Sequence, residues 1–189
     1  FVHNLKPMTA LGADTPQIDQ FDGLEISERP DFALASLSIR QGHDVQCAEQ
    51  AKAYLDFDLP EPGQGHLSDP FSCFWMGPVQ WMISAPHDSH EDLAVALKQA
   101  VGDAGSISEQ TDGWCRFDLS GPGLTAVLER LCNVDLASLA SGDARRVRLE
   151  HLGCFVWCLK PAEAVAVLGP RSSAASLHHA LVGAAKSAL

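Results

Sequence analysis

Apolar and polar positions along this chain alternate, cluster and recur in ways that divide it into short strands and helices. The stretch "DFALASLSIRQG" (31–42) predicts a strand that ends at Gly42. Cys47, Ala51, Tyr54 and Leu55 fall on one helical face and predict a short helix. "DLPEPGQGH" holds too many prolines and glycines for a regular element and is read as a surface loop. "CFWMGPVQWMI" reads as two strands that meet at Gly77-Pro78, because proline cannot sit inside a central strand. Leu93, Leu97, Ala100 and Val101 then give an apolar stripe to a helix that Ser89 is expected to cap and Gly102 to end.

In the second half, "CRFDLSGPGLTAVLERL" and "AVAVLGPRSSAASLHHAL" each read as strand, Gly-Pro, helix. Between them "ARRVRLEHL" and "CFVWCLK" predict paired strands around Gly153, the second closed by Pro161. The two helical registers after Gly-Pro differ by a residue, so the units are not a true repeat. The pattern predicts an α+β fold of antiparallel sheets with helices packed on one face, in a split β-α-β arrangement of the ferredoxin-like kind. Residues 12–31, with Asp14, Asp19, Asp22, Glu25, Glu28 and Asp31, are turn-rich and acidic. An irregular N-terminal arm over 1–30 and one α+β domain over 31–189 are therefore expected, the latter divisible at 31–110 and 111–189.

The glycines of "FDLSGPGLTAVLERL" pose a choice between a phosphate cradle and a helix start. A Walker loop needs Lys and Ser/Thr after its glycines, and a dinucleotide fingerprint needs three glycines at fixed spacing. Neither is present, and Pro122 removes a backbone donor that a phosphate would use. Leu124, Val127, Leu128 and Leu131 recur at helical spacing, and Ser120 or Gly121 can cap with Pro122 in the first turn. The segment is read as a helix start.

Length and composition narrow the class. The 189 residues suffice for one substantial domain or two small ones sharing a core, and no apolar run nears the ~20 residues that cross a bilayer. The first residues lack a signal-peptide pattern, so a cytoplasmic protein is expected. The net charge is −11 and sits in the first half: residues 1–97 hold 15 acidic and 4 basic side chains, residues 98–189 hold 9 of each. Such a balance disfavours nucleic acid and suggests that the acidic half meets a basic surface of a partner. The one basic cluster, "ARRVRLE", places Arg146 and Arg148 opposite Val147 and Leu149 and reads as a solvated strand face, with an anion site as the lesser alternative.

Candidate chemistry is sparse. Six cysteines form no CxxC pair and are expected to be reduced and buried in apolar runs. Cys154 and Cys158 would stand about 13 Å apart on one strand face, too far for one metal or a disulfide. His87 and His90 lie three apart, but Pro86 and Ser89 put His87 in a loop; His178 and His179 diverge by about 100° on a helix. No nucleophile elbow or spaced carboxylate pair occurs. No catalytic, cofactor-binding or metal-binding residue is therefore assigned. Trp75 and Trp81, which bracket the Gly-Pro turn, and Arg171, after Gly169-Pro170, are the candidate interface residues, with core packing the alternative for the tryptophans and a solvated cation for Arg171.

The order of "FALASLSIRQG", "LPEPGQ", "FWMGPVQWMI", "DGWCRFDLSGPGLTAVLERLCNVDL" and "GPRSSAASLHHALVGAA" resembles the gamma subunit of heterotetrameric sarcosine oxidase over roughly residues 30 to 189. The resemblance implies a fold similar to the folate-binding domain of aminomethyltransferases. It also implies a non-catalytic accessory chain whose alpha, beta and delta partners carry FAD, FMN, NAD and tetrahydrofolate. Those partners would oxidise sarcosine to glycine and pass its methyl carbon to tetrahydrofolate. Two other readings compete: a stand-alone folate- or pterin-binding module, and a thiol or metal enzyme built on the cysteines or on His87 and His90.

Overall fold

A computed structural model describes residues 8–189 of the chain. The first regular element is a hairpin, β1 (Ile18–Phe21) and β2 (Leu24–Glu28), turning at Gly23 with a φ of 79°. This corrects the irregular arm expected up to residue 30. Leu24 and Ile26 alternate with Glu25 and Ser27, and both apolar side chains are buried. A period of two was hidden beneath an acid-rich composition. Residues 1–7 of the expected arm lie outside the described residues.

The first sheet is built from β3 (Phe32–Ile39), α1 (Asp44–Leu55), a two-residue β4 (Gly65–His66), β5 (Ser72–Gly77), β6 (Gln80–Pro86), a one-turn α2 (His87–His90), α3 (Leu93–Val101) and β7 (Gly105–Glu109). Its order is β4-β5-β6-β3-β7, all antiparallel, which is the split β-α-β arrangement. Cys47, Ala51 and Leu55 of α1 and Leu93, Leu97 and Val101 of α3 pack on one face, against Ala35 and Leu37 of β3 and Trp81 and Ile83 of β6. Gly102 ends α3 as expected, at a φ of 52°. Ser89 does not cap it. The helix starts after Asp92, and the Ser89 hydroxyl donates to the Pro86 carbonyl inside α2.

The turn between β5 and β6 lies at Gly77-Pro78, and Val79 is forced to a φ of 52° to complete it. That region suits Gly or Asn, and a β-branched residue there is strained. Val79 is exposed, and its backbone carbonyl accepts from the Ile39 N–H, which any residue can reproduce. Val79→Asn is therefore expected to raise stability by about 1 kcal/mol, read as a higher urea midpoint at constant slope.

The second sheet comprises the β1–β2 hairpin with β8 (Trp114–Ser120), β9 (Ala144–Leu149), β10 (Leu152–Lys160) and β11 (Ala164–Pro170), in the order β1-β2-β8-β11-β10-β9. One face is covered by α4 (Leu124–Leu128), between β8 and β9, and by the closing α5 (Ala174–Ala188). Leu124, Val127, Leu128, Leu177 and Leu181 from these helices meet Phe117, Leu119, Val156 and Val167. The β9–β10 turn is at Glu150-His151, not at Gly153. Both residues have positive φ (45° and 71°), as a two-residue hairpin loop requires. β11 follows β10 directly and inserts beside β8, so the split order expected in the second half is found in the first sheet instead.

The uncovered faces of the two sheets meet. Leu34, Phe74 and Met82 from the first interleave with Phe155, Trp157, Ala166 and Leu168 from the second. β10 is thus buried on both sides: Cys154, Val156 and Cys158 turn to the helices, Phe155 and Trp157 to the other sheet. The architecture is α+β, layered helix, sheet, sheet, helix, with each sheet carrying helices on one face only.

Gly-Pro-Gly starts α4, and its glycines serve close packing. Gly121 has a φ of 128°, and a Cβ built there would run into the Gly23 carbonyl oxygen at the β1–β2 turn. The Gly123 N–H donates to that same oxygen at 2.8 Å. No side chain caps the helix, so neither Ser120 nor Gly121 acts as the expected cap. Gly121→Ala should cost about 1–3 kcal/mol and loosen the hairpin, measured as lower stability and faster amide exchange in residues 18–28.

Candidate functional site

Both covalent crossings between the sheets run at one end of the molecule: Arg29–Asp31 joins β2 to β3, and Gln110–Gly113 joins β7 to β8. Hydrogen bonds stitch them. The Arg29 N–H donates to the Arg116 carbonyl (2.9 Å) and the Leu34 N–H to Thr111 Oγ1 (3.0 Å). The Trp114 indole N–H donates to Gln110 Oε1 (3.0 Å), and the Arg171 N–H to the Gly113 carbonyl (3.0 Å). A cavity of about 360 Å³ opens between the crossings. Phe32, Trp114, Arg29, Arg116, Arg171, His87 and Glu28 line it, with Thr9, Ala10 and Asp14 on its rim.

Charge in this cavity is held tightly. Arg116 and Asp118, two apart on β8, point together between the sheets, the guanidinium gripping the carboxylate through Nε (2.6 Å) and Nη2 (3.0 Å). Arg29 Nη1 reaches the same carboxylate at 2.8 Å, and its Nε and Nη2 hold Asp31. The Phe32 ring lies against both cations, 4.0 Å from Arg116 and 5.0 Å from Arg29. The Asp31 hydrogen bond, joined by Asp118, pushes Arg29 above its ordinary pKa, so it stays charged. Buried Glu28 accepts the Leu11 (3.0 Å) and Gln17 (3.1 Å) N–H groups and so ties residues 9–17 across the cavity mouth. An aromatic wall beside ion-paired guanidiniums and carboxylates suits a flat guest with polar edges.

The residues singled out from sequence part company here. Arg171 belongs to the site: it lines the cavity, donates from Nη2 to the Met8 carbonyl (2.8 Å) and lies 3.8 Å from Asp112. Trp75 and Trp81 are cross-strand partners on the opposite side of the first sheet. Trp81 is 8% exposed and donates its indole N–H to the Pro60 carbonyl, so it packs in the core of the first sheet. Trp75 is half-buried beside it. His87 lines the cavity while His90 packs on Phe71, and His178 bonds Asp19 at 2.7 Å. Among the described residues no group of three metal-ligating side chains converges.

Five of the six thiols are buried. Burial pushes Cys115 and Cys154 up to about 11, and raises Cys73 further. At pH 8 about one thiolate in a thousand is then present at Cys115 and Cys154. A disulfide reagent such as DTNB should titrate half-buried Cys132 first in the native chain and release all six only on unfolding. Rapid labelling of Cys115 or Cys154 would contradict a closed core beneath α4 and α5.

Arg29, Phe32, Arg116 and Asp118 were not singled out from sequence. A signal was present in "CRFDLS": Cys115, Phe117 and Leu119 form one apolar face, yet the opposite face carries Arg and Asp two apart. On a strand covered on both sides, that spacing marks a buried ion pair.

The fold and this cavity define a two-sheet α+β protein whose two crossings enclose a charged, aromatic-walled site. No protein-family model matches the chain, and neither does any curated protein. Among solved structures it is similar to a chain of the heterotetrameric sarcosine oxidase from Corynebacterium sp. U-96, solved in complex with pyrrole 2-carboxylate. The TM-score is 0.79 at 18% identity, over 90% of this chain and 88% of that one. A likeness at that identity establishes a common fold. The regulatory subunit of aspartate kinase from Thermus thermophilus, in its ligand-free form, aligns over 89% of this chain and 99% of its own at 13% identity, but with a TM-score of 0.43. That value is too low to bear on function. No helix among the described residues is long and apolar enough to cross a membrane.

Proposed function

We propose that this chain is a gamma-type accessory subunit of a heterotetrameric sarcosine oxidase. Its alpha, beta and delta partners would hold FAD, FMN, NAD and tetrahydrofolate and carry out the oxidative demethylation of sarcosine to glycine, in the cytoplasm. The observation that supports this is the TM-score of 0.79 over 90% of this chain and 88% of that one. Trp75, Trp81 and Arg171 are the proposed contact residues. Co-expression with candidate partner subunits tests the reading: the chain should co-elute with them in one complex and, purified alone, should lack flavin absorbance. A chain that elutes alone from that co-expression rejects it.

The cavity favours a second reading, a folate- or pterin-binding module. Phe32 and Trp114 offer ring faces, and Arg29, Arg116 and Arg171 stand at its wall. Tetrahydrofolate bound there would raise the melting temperature of the isolated chain with ligand concentration. No shift at saturating ligand removes this reading and leaves the first untouched.

A further inference from the structure

We propose that the open edge of β9 is a docking site for an extended acidic segment of another polypeptide, which adds as a further strand to the second sheet. Among the described residues the six-stranded sheet ends at β9, which pairs with β10 alone. In an antiparallel pair, successive residues turn their backbone groups alternately toward the partner strand and away from it. The Glu150-His151 turn makes Leu149 and Leu152 the closing pair, and the Cys158 N–H donates to the Asp143 carbonyl at 2.8 Å at the far end. Residues 143, 145, 147 and 149 therefore face β10. Ala144, Arg146 and Arg148 face outward. Ala144 shows this directly, since its N–H donates to the Gly63 carbonyl at 3.1 Å in a loop beyond the sheet. Past that point the backbone of Arg146 and Arg148 has no such partner among the described residues.

The side chains specify the guest. Arg146 and Arg148 are exposed, and among the described residues neither has an ion pair, whereas Arg145 is held by Asp143 and the Gly63 carbonyl. Asp135, beside Arg146 in the adjoining loop, accepts from the Ala137 N–H, and Glu150 in the β9–β10 turn forms no ion pair with either arginine among the described residues. Gly153 lies opposite Arg148, and a Cβ there would meet nothing within 4 Å, so the face beside the arginines is open. Arg146 lies over the Phe155 ring, 6.0 Å from its centre, which leaves its N–H groups to an incoming acid. Outward backbone donors and acceptors next to two guanidiniums without ion pairs among the described residues fit a strand whose carboxylates alternate with its apolar residues. Two copies do not pair through β9 on both sides, because antiparallel pairing of two β9 edges sets arginine against arginine. Nucleic acid would meet only this small cationic patch on a chain of net charge −11. The inference requires a partner strand and not an oxidase, so it stands apart from the function proposed above.

The full-length chain is titrated with a labelled peptide of about nine residues that alternates Glu with Val or Thr. One control peptide is N-methylated along its pairing edge, which keeps the charge and removes the N–H groups. The other replaces Glu by Lys. Fluorescence anisotropy should show saturable binding of the acidic peptide, weakened about tenfold or more by N-methylation and by Arg146→Glu/Arg148→Glu, and falling with salt. Amide exchange at Arg146 and Arg148 should slow on binding; both side chains are exposed, so the double variant should keep the parent's circular dichroism and urea midpoint. The proposal is overturned if the acidic peptide does not bind, if the methylated peptide binds as well, if the double variant binds unchanged, or if an oligothymidylate alone occupies the edge.

Discussion

Replacing Trp157 by alanine is expected to lower the unfolding free energy by about 3–5 kcal/mol, the largest loss for any single truncation of the inter-sheet core. Trp157 is 1% exposed and sits between the sheets, its ring 5.0 Å from Phe74, with Arg116 on its far side at 5.7 Å. Its indole N–H donates to the Gly142 carbonyl at 3.0 Å, which anchors the turn leading into β9. Alanine would remove this bond, open a cavity the size of an indole and strip the contacts that join one sheet to the other. Trp157→Phe separates the two effects, since it keeps most of the ring and loses only the bond, at about 1 kcal/mol plus the volume difference. Urea denaturation followed by circular dichroism reads both. A loss under about 1 kcal/mol for the alanine variant would mean that the sheets do not depend on each other for stability.

Removing the carboxylate at Asp118 should be nearly as damaging, at about 3–5 kcal/mol for Asp118→Ala, because it strands a buried cation. Arg116, 7% exposed, makes its ion pair with Asp118 and with no other carboxylate among the described residues, and Arg29 would keep Asp31. The complementary change is predicted to be milder. Arg116→Met leaves Asp118 paired with Arg29 and keeps an apolar stem against Phe32. The double variant Arg116→Met/Asp118→Leu should recover much of the Asp118→Ala loss, since replacing both members of a buried pair by well-packed apolar groups is often close to neutral. A double-mutant cycle in urea measures the difference. Equal losses for Asp118→Ala and Arg116→Met would show that the pair acts alone and that Arg29 contributes nothing.

The two variants also bear on function. Trp157 packs behind the cavity without lining it, so a Trp157→Phe chain should still assemble with partners or bind ligand as the parent does. Asp118 sets the direction of two cavity arginines, and its loss should disturb any ligand that those arginines hold.

Sequence by itself determined the elements that rest on local periodicity. The apolar stripe of α3 at Leu93, Leu97 and Val101, the turn at Gly77-Pro78, the alternation of Arg146 and Arg148 with Val147 and Leu149, and the helix that follows Gly-Pro-Gly all follow from neighbours within a few residues. The ordered motifs also led to the fold, because their spacing constrains how strands and helices succeed one another. Only the tertiary structure decided the rest. It paired β2 with β8, which turned an acid-rich segment into a buried hairpin, and placed β11 between β8 and β10 with no helix to announce it. It put Trp81 in the core and Arg171 in the cavity. It also joined Arg29 to Asp118, 89 positions apart in the chain. Periodicity reports which side of an element is apolar, but it carries no information on which distant element covers that side. Burial, charge pairing and the candidate site are set by that choice.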